Sequence, residues 1–230
     1  MGGRRVKPKV LLFDLFGTLV DVGGVADECE RIFPGRGEQL SRTWRDKQLK
    51  YTWLRTLMDH YEDFERITQH ALVAACKELR LPPNDALKED LPAAFERLKP
   101  FPEVPTALAS LASDGFHLGV LSNGTRQQAS AVLAQSAFGV PILIFSADDV
   151  RLYKPAPGVY AFGVQQVQAE VGEVLFVSAN AWDVAGARAF GLSCAWLDRA
   201  RGSFEELDVT PTIVAHDLDD LVHELRQREA

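Results

Sequence analysis

The sequence predicts an α/β protein with a mostly parallel sheet and a helical insertion after its first strand. Two observations carry this. Short β-rich runs alternate with helix-length segments, and one long stretch breaks the alternation with amphipathic helices alone. The strand candidates are "KVLLF" (9–13), "HLGVLS" (117–122), "PILIF" (141–145), "EVLFVS" (173–178), "SCAWLD" (193–198) and "TIVA" (212–215). Their near-continuous apolar character fits strands buried on both faces. Helical candidates lie between and beside them, near 104–113, 125–135, 157–171, 183–190 and 217–228. From about 22 to 98 there is no convincing strand. There "GEQLSRTWRDKQLKYTWLRTLMDH" places Leu40, Trp44, Tyr51, Leu54 and Met58 at helical spacing. "DFERITQHALVAACKELR" and "NDALKEDLPAAFERLK" form a second and a third amphipathic helix, with "LPPND" and "KPFPEVP" marking boundaries. An insertion at this point would sit above the carboxyl ends of the strands, where open α/β sheets bind ligands.

Composition narrows the class. The chain has 230 residues, 47% hydrophobic and 25% charged, as in ordinary globular proteins. No apolar run approaches the ~18 residues that span a bilayer. The basic start "MGGRRVKPK" lacks the apolar stretch of a secretory signal. Cys29, Cys76 and Cys194 are widely spaced and read as reduced core thiols, so a cytoplasmic site is expected. A formal charge of −7 argues against nucleic acid as a partner but not against a small anionic substrate, which local cations can hold.

Four polar clusters close four of the apolar runs. Asp14 ends the first, with Gly17 allowing a tight turn and Thr18 just beyond. "LSNGT" places Ser122 and Asn123 at the end of the second. "YKPAPGVY" supplies Lys154 in a turn and Tyr160 on the next helix, and "FVSANAWDVAGARAFG" offers Ser178, Asn180 and Asp183. Alone, an Asp-x-x-Gly is a turn cap. Together, the four clusters describe a site at one end of the sheet.

At "FDLFGTLVD", "LSNG", "YKP" and "FVSANAWDVAGARAFG" the chain resembles the haloacid dehalogenase superfamily, and within it the L-2-haloacid dehalogenases. "SRTWRDKQLKYTWLRTLM" is similar to that family's cap helix. The resemblance implies a Rossmann-like core (1–21 and 99–230) under a helical cap (22–98). It implies that Asp14 is the nucleophile and that Lys154 holds it ionised. Thr18 and Ser122 would orient the reacting groups. Arg45 would take the substrate carboxylate or the departing halide, with Asn123 and Trp182 completing the halide cradle. Tyr160, Ser178, Asn180 and Asp183 would form the hydrogen-bonded floor and position the hydrolytic water. The partner implied is a small 2-haloacid, with no cofactor, no metal, no nucleic acid and no membrane, and the enzyme would be a homodimer.

Phe16 sharpens this expectation. Superfamily phosphatases carry a second carboxylate there to protonate a strongly basic alkoxide, a contribution of ~10²–10⁴-fold. A halide is a very weak base and departs without a proton, so Phe16 removes a group dehalogenation does not need and adds apolar wall. Ser178 and Ala179 stand where metal-dependent relatives have a Gly-Asp pair, which removes a carboxylate ligand. Phe16 and Ala179 also replace the tyrosine and serine of many dehalogenases. Backbone N–H groups at the Thr18 and Asn180 turns are candidate carboxylate binders. Arg45, Leu49 and Trp53 share one helix face, suited to a short halogenated acid. Alternatives stay open: Arg45 as a solvated helix charge, Leu49 and Trp53 as cap core, Tyr160 as packing. At the level of function the competitors are a phosphatase and an idle binding module. No G-x-S-x-G elbow occurs and no histidine lies in a motif, which argues against an α/β-hydrolase route.

Overall fold

The computed structural model describes residues 7–82, 91–136 and 138–229. Its centre is β1 (Val10–Phe13), four consecutive buried apolar residues. Around it lie β2 (His117–Ser122), β3 (Leu143–Ser146), β4 (Val174–Ser178), β5 (Ser193–Leu197) and β6 (Ile213–Ala215) in one six-stranded sheet ordered β3-β2-β1-β4-β5-β6. Every pairing is parallel, and Phe13 is in register with Val120 on one side and Val177 on the other. The chain winds outward from β1 to β3, then crosses back to β4 on the other side of β1. The crevice beyond the carboxyl ends of β1 and β4 is therefore a topological switch point, where such sheets place ligands. Leu11 and Leu12 are fully buried, and truncating either to alanine would cost about 2–5 kcal/mol in lost transfer energy and cavity formation.

Helices cover both faces of the sheet. They are α4 (Val104–Ser113), α5 (Arg126–Ser136), α6 (Pro157–Gln166), α7 (Ala181–Phe190) and α8 (Leu218–Glu229). Pro157 opens α6 at a position where no intrahelical N–H is needed, and Gly191 ends α7 in the left-handed region at φ 111°. These elements start and stop close to the sequence expectation, except that α6 stops at Gln166 rather than 171. Gln168 there takes φ 53°, which no helix can continue through. β3 also begins two residues later than "PILIF" suggested.

The segment after β1 is helical. It contains α1 (Gly23–Ile32), α2 (Gly37–Leu57) and α3 (Phe64–Glu78), with α2 packed on both others. Asp63 caps α3 by accepting the Arg66 N–H at 2.8 Å. The short helix α1 was not expected from the sequence, and it buries only Val25 and Cys29. The stripe expected on α2 is also corrected. Its buried residues are Gly37, Leu40, Trp44, Gln48 and Thr52, while Leu54 and Met58 are exposed. Two polar side chains lie in the buried stripe because each finds a hydrogen-bond partner inside. The first half of the third expected helix (84–99) lies outside the described residues. Its second half is a helical piece over 91–94 and a 3₁₀ turn at Phe95–Arg97.

The two stretches of chain that join this helical layer to the sheet run side by side. Asp21 N–H donates to Lys99 O at 2.8 Å, Phe101 N–H to Leu19 O at 3.1 Å, and Val20 forms an antiparallel bridge with Pro100. Further out the layer is tied down by Thr125 Oγ1, which donates to Glu65 at 3.1 Å, and by Tyr61, which donates to Asp148. The three cysteines are buried free thiols. Among the described residues no helix is long and apolar enough to cross a membrane.

Candidate active site

Asp14 is the residue immediately after β1, its N–H bonded to Val177 O at 2.9 Å. Gly17 turns the chain at φ 81°, a conformation that favours glycine. That turn brings Thr18 back so that its hydroxyl donates to Asp14 Oδ2 at 2.9 Å while accepting the Ala179 N–H at 2.9 Å. Asn180 Nδ2 donates to the same oxygen at 2.7 Å and to Phe16 O at 3.2 Å. The other oxygen, Oδ1, accepts from Lys154 Nζ at 2.8 Å. Both oxygens of one carboxylate are thus held by donors from three segments.

Lys154 is fully buried and also donates to Asp183 Oδ2 at 2.6 Å. Asp183 is completed by the Tyr160 hydroxyl at 2.7 Å on Oδ1 and by Ser178 Oγ at 3.3 Å on Oδ2. Close approach of α7 makes this possible. A Cβ on Gly186 would stand 2.4 Å from Pro155 and 2.8 Å from the Tyr160 hydroxyl. Two carboxylates and one ammonium buried together are costly unless their lone pairs and protons find partners. Burial, with the Asp14 charge adding to it, pushes Asp183 up to about 6 against the pull of Lys154. Burial works to neutralise Lys154, but the two carboxylates outweigh it and hold the ammonium above its ordinary range.

Asp14 faces a cavity lined by Phe16, Arg45, Leu49, Phe64, Asn123 and Trp182. Asn123 Oδ1 accepts the Lys154 N–H at 2.9 Å, so its NH₂ group is left for the cavity. Phe16 stacks on Phe64 at 6.3 Å, and Trp182 packs edge-on against Trp53 at 5.6 Å. Arg45 is the cation on the roof. Burial holds its guanidinium below its ordinary value, opposed by Asp14, Asp46 and Asp183, and it stays charged at neutral pH. A second cavity of about 240 Å³ lies beyond Arg45, between α1 and α2. It contains none of Asp14, Lys154 and Asp183, so the smaller cavity is where chemistry is possible.

The structure therefore brings Asp14, Thr18, Lys154, Tyr160, Ser178, Asn180 and Asp183 into one bonded floor. It sets Phe16, Arg45, Leu49, Asn123 and Trp182 around the space above. One expectation is corrected, at two backbone amides. The Thr18 N–H donates to Leu15 O at 3.2 Å and the Asn180 N–H to Ser178 Oγ at 3.1 Å, so neither amide is open to a substrate carboxylate. Both are used to close the turns that aim the side chains. Ser122 Oγ accepts the Gly124 N–H at 3.0 Å and makes no hydrogen bond to Asp14 among the described residues. Leu49 lines the cavity, and Trp53 backs Trp182. Sequence reasoning missed Phe64, whose signal was its place as the first residue of α3 after the Asp63 cap. It also missed Arg199, which donates to Thr18 O at 2.9 Å and lies 3.8 Å over the Phe101 ring.

Comparison with known proteins agrees with this geometry. A family model described as haloacid dehalogenase-like hydrolase matches residues 8–191. The haloacetate dehalogenase H-2 of Moraxella sp. (strain B) is 40% identical over 218 residues, covering 94% of this chain and 97% of the relative. The (S)-2-haloacid dehalogenase of Pseudomonas sp. (strain YL) is 43% identical over 205 residues, 88% of each chain. A solved structure of the Xanthobacter autotrophicus L-2-haloacid dehalogenase with chloropropionic acid covalently bound superposes with a TM-score of 0.86. It shares 35% identity and covers 95% of this chain and 98% of that one. The family model spans most of the chain and the relatives are matched over nearly all of it, so the protein belongs to the haloacid dehalogenase-like hydrolase family.

Proposed function

We propose that the chain is an (S)-2-haloacid dehalogenase acting on short acids, haloacetates included, and releasing the (R)-2-hydroxyacid and halide. The observation that carries this is the placement of Asp14. Its oxygens are fixed by Lys154, Thr18 and Asn180, and it faces an apolar-walled cavity in which the position two residues on is phenylalanine. A carboxylate so held is an anionic, partly desolvated nucleophile. Asp14 attacks the carbon bearing the halogen from the back, and the electron pair of the carbon–halogen bond leaves with the halide. Arg45 and the Asn123 NH₂ group meet the anions in the cavity. Water then adds to the Asp14 carboxyl carbon; one of its protons goes to the alkoxide that departs and the other is released as Asp14 returns to a carboxylate. The ester C–O bond breaks on the enzyme side, so the hydroxyacid keeps the oxygen Asp14 brought. One displacement inverts the carbon, and the second step does not touch it.

The reading is tested with a halide-release panel over fluoro-, chloro- and bromoacetate and both enantiomers of 2-chloropropionate. The S enantiomer should yield R product with EDTA present throughout. Racemic or retained product, or activity that returns only with Mg²⁺, contradicts it. We also read the enzyme as a cytoplasmic homodimer joined partly through the helical layer, where Leu54, Leu57 and Met58 are exposed together near the end of α2. Sedimentation of wild type against Leu57→Glu checks the dimer.

A further inference from the structure

Arg45 has one hydrogen-bond partner among the described residues, and it is uncharged. Its Nη1 donates to Gln48 Oε1 at 2.7 Å. Gln48 is fully buried, and its Nε2 donates to Thr68 Oγ1 at 2.7 Å across the α2–α3 contact. Thr68 gives its own proton to Phe64 O at 2.6 Å, so toward Gln48 it can only accept. That fixes the amide: nitrogen toward Thr68, oxygen toward Arg45. Holding the two helices together does not need this arrangement, because Trp44 Nε1 already donates to Thr68 O at 2.8 Å one turn earlier.

We propose that Gln48, oriented by Thr68, is a positioning residue that holds Arg45 toward the Asp14 cavity through a neutral acceptor. A buried guanidinium needs a partner, and a carboxylate would be the stronger one. A carboxylate would also neutralise it and compete with any incoming anion. An amide oxygen fixes the fork in place and leaves the full charge for the substrate carboxylate or the departing halide. The identity of that anion rests on the dehalogenase reading; the tether itself does not.

The test compares Gln48→Glu, Gln48→Met, Thr68→Val and Thr68→Ser with wild type. Bromide affinity is read by tryptophan fluorescence, and KM and kcat for (S)-2-chloropropionate are measured beside it. Gln48→Glu supplies a competing carboxylate and should raise both the bromide Kd and KM by roughly tenfold or more, with a smaller change in kcat. Gln48→Met keeps the volume but frees Arg45, and should raise the same constants by about five- to tenfold. Thr68→Val should give about threefold, since the amide loses its anchor but not its oxygen, and Thr68→Ser should return both constants to wild type. Bromide Kd and KM that stay within about twofold of wild type across the set would make Gln48 helix packing alone and overturn the proposal. If the Gln48 variants do not fold, the Thr68 pair decides by the same comparison. Bromide binding needs no turnover, so the tether stands or falls separately from the halide-release result on the wild-type enzyme.

Discussion

The floor and the roof of the cavity are built on opposite plans. On the floor, Asp14, Lys154 and Asp183 are at most 6% exposed, and their charged atoms bind one another or the side chains of Thr18, Asn180, Tyr160 and Ser178. The roof is mostly apolar rings and a leucine, with one cation held by one amide, and the indole N–H of Trp53 is buried there without a hydrogen-bond partner among the described residues. A floor of this kind is preorganised: nothing has to reorient when charge moves, so its value lies in the transition state. A sparsely bonded roof can yield as a substrate enters or a halide leaves, so its value lies in binding. The division predicts which kinetic constant each residue controls.

The largest expected effect is at the nucleophile. Asp14→Asn should lower halide release on the order of 10⁴-fold or more while the melting temperature holds, because an amide does not attack carbon. A single turnover of wild type in ¹⁸O-water with enzyme in excess should give nearly unlabelled hydroxyacid and a labelled Asp14 peptide. Labelled product at once would make Asp14 a base instead. Next is Lys154→Met, which leaves two buried carboxylates facing each other. Denaturant unfolding should show a loss of about 3–5 kcal/mol, and kcat should collapse with it. Retained stability would mean the floor is less coupled than its distances indicate. On the roof, Arg45→Ala should act mainly through KM, raising it roughly 10- to 100-fold, with halide inhibition weakened in parallel; a pure kcat effect would erase the contrast between floor and roof. The smallest effect is pH. Asp183 takes up a proton as pH falls through about 6, losing the negative charge that faces Lys154. Turnover should therefore drop on the acid side of about 6, and Asp183→Asn should remove that limb from whatever activity remains.

The floor was legible in the sequence only from four polar clusters taken together and from the family they resemble, since each alone has a local reading such as a turn cap. Asp14 and Ser178 stand at strand ends, Asn180 and Asp183 follow at the cap and first turn of the next helix, and Lys154 sits in a turn just before Pro155. The sheet could be read from the alternation of apolar runs, since strands buried on both faces leave a continuous signal. The roof was harder to read because a long helix between two partners carries two overlapping patterns. Leu54 and Met58 fell on a plausible stripe and are exposed, whereas Gln48 and Thr52 are polar and buried. Their burial depends on Thr68 and on the Leu49 carbonyl. The former lies on another helix, and no periodicity within α2 reports it. The Thr18 and Asn180 amides misled for a related reason. A turn offers N–H groups in sequence, but only the closed turn shows that Leu15 O and Ser178 Oγ have already taken them.

The paired chain crossings at 19–21 and 99–101 have a consequence for how such proteins diversify. Because the helical segment leaves and re-enters the sheet through neighbouring, mutually bonded residues, its two ends are already joined as a loop is joined, at little entropic expense. The segment is in effect a cassette. A different insert whose ends fit the same doorway would keep the strand ends that carry Asp14 and Ser178, provided it rebuilt the contacts that Thr56 and Glu62 make with Tyr153 beside Lys154, and the chemistry of the sheet could be offered to a different guest.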